Sequence, residues 1–156
     1  MPLNKQQQEL VEKIGVFLDK RGLQPALGRI LGLLMVIPKA EASFEEIQEH
    51  LSLSKSAVSY GINLLQSQNK IDYITRPGER KRFFVISRNR WPTELKKELV
   101  SYLEFGEIVA EVLSVRGEEN TEFNNHLEDV EKFMRFLKDE IPPIIDKYIQ
   151  QHPELK

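Results

Sequence analysis

Apolar residues recur at helical spacing through the first third of the chain, then give way to short β-branched and aromatic runs near its middle. Leu10, Ile14, Phe17 and Leu18 form one stripe of a first helix, which Asn4 can cap and which runs to about Lys20 before Gly22 stops it. Pro25 suits the first turn of a second helix carrying Leu27, Ile30, Leu31, Leu34 and Met35. Its small residues Ala26, Gly28 and Gly32 predict close approach by another helix, and Pro38 ends it.

Ser43-Phe44-Glu45-Glu46 has the form of a capping box and starts a short helix through His50 or Leu51. Ser54 caps the next helix, which runs to about Gln68. Ile47, Leu51 and Leu53 point inward from the first of this pair and its turn, and Ala57, Val58, Ile62 and Leu65 from the second. Small Ala57 and Gly61 let the two cross closely, as a helix-turn-helix requires. Residues 71–75 and 82–86 read as two strands joined by the turn Arg76-Pro77-Gly78-Glu79. Trp91-Pro92-Thr93 opens a long helix to about Val115, and the polar residues 117–121 break it. A last helix spans about 122–140, where Pro142-Pro143 either kinks it or restarts a final short helix to Gln150.

This order predicts a mainly α protein with a small β-hairpin wing, a winged helix-turn-helix flanked by N- and C-terminal helices. The expected parts are an N-terminal helix over 1–21, the winged helix-turn-helix over 22–90 and a C-terminal helical region over 91–156. Leu99, Leu103, Ile108, Val112, Leu113, Phe133, Phe136, Leu137, Ile141 and Ile144 exceed what one thin helical layer needs. A partner chain is their natural cover.

Composition narrows the class. A length of 156 residues suits one domain with helical extensions, and 40% hydrophobic with 29% charged residues excludes wholesale disorder. The absence of cysteine excludes a disulfide framework, a zinc ribbon and a cysteine nucleophile together. The opening MPLNKQQQELVEK lacks a secretory h-region, and the longest apolar stretch, 30–37, is too short for a bilayer, so a cytoplasmic protein is expected.

The net charge of −2 conceals a segregation. Residues 54–90 hold eight Lys/Arg against two acids, whereas residues 91–156 hold eight against fifteen. Phosphate responds to the local field within about 8–10 Å, so the basic segment decides. On the helix from Ser54, the residues left facing outward are Lys55, Ser56, Ser59, Tyr60 and Asn63, with no acid among them. They lie toward the end that a recognition helix presents to the major groove, and the free N–H groups near Ser54 favour a phosphate. Arg76, Arg80, Lys81 and Arg82 cluster at the wing, with Glu79 placed to orient an arginine. Any amphipathic helix has a polar face and many loops carry charge; it is their adjacency that points to a DNA-binding surface.

The strings GLQPALGRILGLLMV (22–36), SFEEIQEHLSLSKSAVSYGINLLQ (43–66) and RPGERKRFFVI (76–86) resemble the GbsR-like branch of the MarR-type transcriptional regulators. The resemblance covers residues 8–90 well and the C-terminal helices by pattern; its more specific parts are residues 28–32 and 77–82. It implies a winged-helix homodimer in which the N-terminal helix (1–21) and the C-terminal helices (91–156) are the dimerisation helices and 22–90 is the DNA-binding domain. Its wings would lie over adjacent grooves, and the genes it acts on often concern osmoprotectant uptake or membrane transport. Tyr60-Gly61 departs from the basic or small polar residues common there. The expected function is therefore a DNA-binding regulator, a repressor acting on a palindromic operator. The rival is a winged-helix protein–protein interaction module.

No catalytic constellation emerges. His50, His126 and His152 lack metal-ligand spacing, no phosphate-binding or hydrolase motif occurs, and the serines have no partnered base, so neither an enzyme nor a cofactor is expected. Trp91, Tyr102, Phe105 and Phe123 read either as plain core or as an effector pocket, whose aromatic cage suits a quaternary ammonium ligand.

Overall fold

In the computed structural model, residues 2–88 and 91–155 are described. Arg90 of the basic segment and the expected domain boundary beside it lie outside them. The chain divides into two compact units, Met1–Ser87 and Arg88–Lys156.

The first unit begins with α1 (Lys5–Asp19) and α2 (Pro25–Val36). Asn4 caps α1 as expected: its Oδ1 accepts from Gln7 N at 2.8 Å, and its own N–H donates to Gln7 Oε1 at 3.0 Å. The helices meet backbone to backbone. A Cβ added to Gly28 would stand 3.1 Å from the Gly15 carbonyl oxygen, and one on Gly32 would stand 3.0 Å from that of Val11. The predicted apolar stripe of α1 is corrected by this contact. Val11 and Gly15 are the buried residues, while Leu10 and Phe17 are exposed. A glycine-mediated contact selects small facing positions, so the large side chains turn outward. Arg29 fastens the pair by bonding both carboxylate oxygens of Glu12, with Nε donating to Oε2 at 2.9 Å.

Leu27, Ile30, Leu33 and Leu34 of α2 are fully buried, because α2 contacts α1 as well as elements that follow it. The following elements are β1 (Glu41–Ser43), α3 (Phe44–Leu51), α4 (Lys55–Ser67), β2 (Ile71–Thr75) and β3 (Arg82–Ile86), of which α3, α4 and β3 contact α2. Together these five elements add Ile47, Val58, Leu65, Ile71 and Phe84 to one core. The winged helix-turn-helix fold is present, and β2 and β3 pair antiparallel as the expected β-hairpin wing. β1 completes an antiparallel sheet of order β1-β3-β2, with Glu41 opposite Val85, Ser43 opposite Phe83 and Thr75 opposite Arg82.

Ser43 ends β1 and caps α3 in the same step. Its Oγ accepts from Glu46 N at 3.2 Å, and its N–H donates to Glu46 Oε2 at 2.7 Å. That backbone bond is the main reason the Glu46 carboxyl sits below its ordinary pKa; partial burial opposes it. α3 ends at Ser52 in the left-handed region, φ +50°, and Ser54 caps α4.

The second unit contains α5 (Trp91–Leu103), α6 (Phe105–Val115), a 3₁₀ turn (Glu118–Asn120), α7 (Thr121–Gln151) and a second 3₁₀ turn (Pro153–Leu155). The single long helix expected to reach Val115 is interrupted at Glu104 and restarts at Phe105. The restart sets Gly106 against α7, where an added Cβ would lie 2.9 Å from Met134 Cβ. Conversely, α7 runs unbroken through Pro142 and Pro143, so no separate final helix forms. Lys96 of α5 bonds both carboxylate oxygens of Asp146 on α7 at 2.7 and 2.8 Å, and Lys138 of α7 pairs with Glu107 of α6. None of the described residues of α7 is buried. Among the described residues, no helix is long and apolar enough to cross a membrane.

Candidate nucleic-acid interface

The second helix of the helix-turn-helix is oriented by its small and apolar residues. Val58, Gly61, Ile62 and Leu65 are buried. Gly61 allows a close approach, but to α2 rather than to α3: an added Cβ would lie 2.7 Å from Ile30 Cδ1. The orientation of α4 is thus set by the helix beneath it as well as by its turn partner, and Ser54, Lys55, Ser56, Ser59, Tyr60 and Asn63 are all exposed.

These six side chains are not equally free. Ser54 Oγ accepts from Ala57 N at 3.2 Å and lies 3.1 Å from Ser56 Oγ, so both hydroxyls are partly engaged at the cap. Tyr60 accepts at its hydroxyl from Gln24 Nε2 at 3.1 Å, which ties the outward ring to the start of α2. Lys55, Ser59 and Asn63 have no side-chain hydrogen bond or ion pair among the described residues. No acid lies anywhere on α4.

At the wing, Gly78 supplies the left-handed turn residue, φ +81°, and Glu79 N donates to the Arg76 carbonyl at 3.1 Å. The Arg82 guanidinium lies 4.6 Å from the Tyr73 ring centroid. Arg76 pairs with Glu41 and lies 4.5 Å from the Phe83 ring centroid. The expectation that Glu79 orients an arginine is therefore corrected: the orienting acid is Glu41 of β1, and Glu79 has no ion pair among the described residues. Lys81 is 4.0 Å from Glu45. Arg80 is exposed and has no ion pair among the described residues.

Gln24, Glu41, Tyr73 and Phe83 are thus parts of this surface that sequence reasoning missed. Glu41 sits in a three-residue strand with no alternation to advertise it, and Gln24 looked only like the residue before Pro25.

Two of the four aromatic residues read as an effector site share one pocket wall. Tyr102 and Phe105 line one shallow recess with Ser101 and Ile108, whereas Trp91 and Phe123 are not in its lining. Phe123 instead carries the Arg116 guanidinium at 4.8 Å from its ring centroid. A different recess of about 210 Å³ lies in the first unit, lined by Leu3, Gln7, Ile37, Pro38, Ala42 and His50 among others. His126 is beside Phe123, and His152 stacks on Tyr148 with centroids 4.1 Å apart. Among the described residues, no group of three or more His, Asp or Glu is placed to hold a metal ion.

A recognition-type helix carried on a helix-turn-helix and flanked by a three-stranded wing defines the winged-helix class. Comparison with known proteins agrees. The family model of the MmpR5-like MarR family transcriptional regulators matches residues 89–151, within the C-terminal helices. The chain is 21% identical over 146 residues to the HTH-type transcriptional regulator MmpR5 of Mycobacterium tuberculosis, covering 94% of this chain and 88% of that protein. A crystal structure of a transcriptional regulator superposes with a TM-score of 0.66 at 20% identity, covering 93% of this chain and 99% of that one, which shows the shared fold. The chain is thus similar to MarR-type transcriptional regulators, and each match is described as a regulator.

Proposed function

We propose that this protein is a cytoplasmic, sequence-specific DNA-binding regulator that acts as a homodimer and represses transcription from a palindromic operator. The observation that carries the reading is the exposed, acid-free face of α4 beside a wing whose Arg80 has no ion pair among the described residues. Lys55, Ser56, Ser59, Tyr60 and Asn63 address base edges, with Ser54 holding the helix end. Arg80, Lys81 and Arg82 lie near the phosphates. Hydrogen bonds to base edges give specificity, while the cations give salt-dependent affinity.

The homodimer is supported by what one chain leaves uncovered. Phe105, Ile108 and Val112 on α6, with Phe133, Phe136 and Ile144 on α7, are all exposed. An apolar surface of this kind on helices argues for association with an identical surface about a two-fold axis, which suits half-sites about 10–10.5 base pairs apart. In this reading residues 91–156 are the dimerisation region, 22–90 the DNA-binding domain, and α1 a further contributor to the dimer. The finer placement on the GbsR-like branch rests on residues 28–32 and 77–82.

The deciding experiment is a gel shift with the DNA upstream of the protein's own gene against an excess of bulk competitor. Retention of the specific complex supports the regulator. Loss of all binding at low salt overturns it in favour of a protein-interaction module.

A further inference from the structure

The wing cations are not equivalent. Arg76 follows the last residue of β2, at one edge of the sheet, while Glu41 begins β1 at the other edge and β3 lies between them. The Arg76 side chain crosses that middle strand. Its guanidinium covers the Phe83 ring, and its Nη2 donates to Glu41 Oε1. The Glu41 side chain is only 12% exposed, against 45% for Arg76.

We infer that Arg76 is a positioning residue, a strut fixing the wing on β1, and that phosphate contact falls to the other wing cations, with Arg80 first among them. The inference rests on the DNA-binding reading and deepens it. A planar guanidinium meets both demands of the position, stacking on an aromatic face while donating to a carboxylate. A phosphate that captured Arg76 would leave the largely covered Glu41 carboxylate without its partner, which is costly. Arg80 has no such prior commitment among the described residues. Because β1 runs directly into α3, the strut also ties the angle of the wing to the helix-turn-helix.

The two roles predict opposite signs for Glu41→Gln. If Arg76 bound phosphate, removing an acid near the DNA and releasing an arginine would tighten binding. If Arg76 is a strut, the same change loosens the wing and weakens binding. The test is fluorescence anisotropy of upstream DNA over a salt series with wild type, Glu41→Gln, Arg76→Ala, the double variant and Arg80→Ala, each with native circular dichroism. We expect Glu41→Gln to weaken binding about two- to fivefold, the range of a partly exposed ion pair, with an unchanged salt slope. Arg76→Ala should do the same, the double variant should lose little more, and Arg80→Ala should lower the slope by about one unit. Tighter binding by Glu41→Gln, or a slope lowered by one in Arg76→Ala, overturns the strut.

A readout without DNA separates this inference from the reading beneath it. Hydrogen exchange at the amides of β2 and β3 should quicken in Glu41→Gln. Unchanged exchange overturns the strut, whereas a wild-type protein that ignores DNA overturns the regulator and the phosphate role of Arg80.

Discussion

Gln24 and Tyr60, thirty-six positions apart, are joined by a hydrogen bond of 3.1 Å from the amide Nε2 to the phenol oxygen. The bond holds a half-exposed aromatic ring on the face proposed to meet DNA. Tyr60→Phe removes it without disturbing the buried side of α4. The expected cost in folding is at most about 0.5 kcal/mol, the low end for a solvent-accessible neutral bond. A urea titration checks this; a loss above about 2 kcal/mol would mean that the ring is part of the core.

Asn63 and Arg80 are proposed to do different work, one on base edges and the other on phosphate. Asn63→Ala should weaken operator binding by roughly 1–3 kcal/mol and leave competitor binding nearly unchanged. Arg80→Ala should weaken every sequence and flatten the salt slope by about one unit. Equal effects of Asn63→Ala on operator and competitor would refute the division.

The α1–α2 contact offers a test of packing. The atom nearest an added Cβ at Gly32 is the Val11 carbonyl oxygen, 3.0 Å away, and backbone yields less readily than a side chain. Gly32→Val should destabilise the protein by about 1–3 kcal/mol through overpacking, despite removing a helical glycine. Thermal unfolding that matches wild type would show that the two helices separate freely.

Glu46 makes stability depend on acid. Its folded-state pKa lies below the ordinary 4.5 because the carboxylate accepts from Ser43 N–H. The contribution is therefore complete above 4.5 and is lost as pH falls through the lower folded-state value. Glu46→Gln should flatten the acid limb of a stability–pH curve while leaving its shape near neutrality unchanged. An identical acid limb in the variant would remove Glu46 from that account.

The exposed α7 face predicts a change of mass. Phe136 is 58% exposed, so Phe136→Glu should cost the single chain little stability. In the proposed dimer it buries a charge at the interface, and light scattering should report a monomer with weakened operator binding. A variant that keeps the wild-type mass would place the dimer contact elsewhere.

The parts of this fold visible in the sequence are those whose cues are local. Asn4, Ser43 and Ser54 each announce a helix within three residues, and residues 76–79 announce the wing turn. Cues were weakest where the structure is made by distant partners. Val11 and Gly15 face α2 because glycines across the contact admit backbone, which a search for large apolar stripes passes over. β1 is too short to show a period, and no glycine or proline stands at Glu104 to mark the helix break. The exposed residues of α4 were legible from its amphipathic pattern, whereas Gln24 and Glu41 act across thirty-six and thirty-five positions without any local sign.

Ser43 leaves no slack between the sheet and the helix that follows it, since it is both the last residue of β1 and the cap of α3. One residue inserted after it would either strip the cap from α3 or slide β1 against β3, turning buried Ala42 toward the opposite face. Length changes are better absorbed at residues 37–40 or 77–81, which lie outside the strands and helices. Segment 41–46 thus serves as a fixed origin from which the helix and the wing are both measured. Variants of this protein with different operator preferences should accordingly differ by substitution within it, and by insertion or deletion only beyond it.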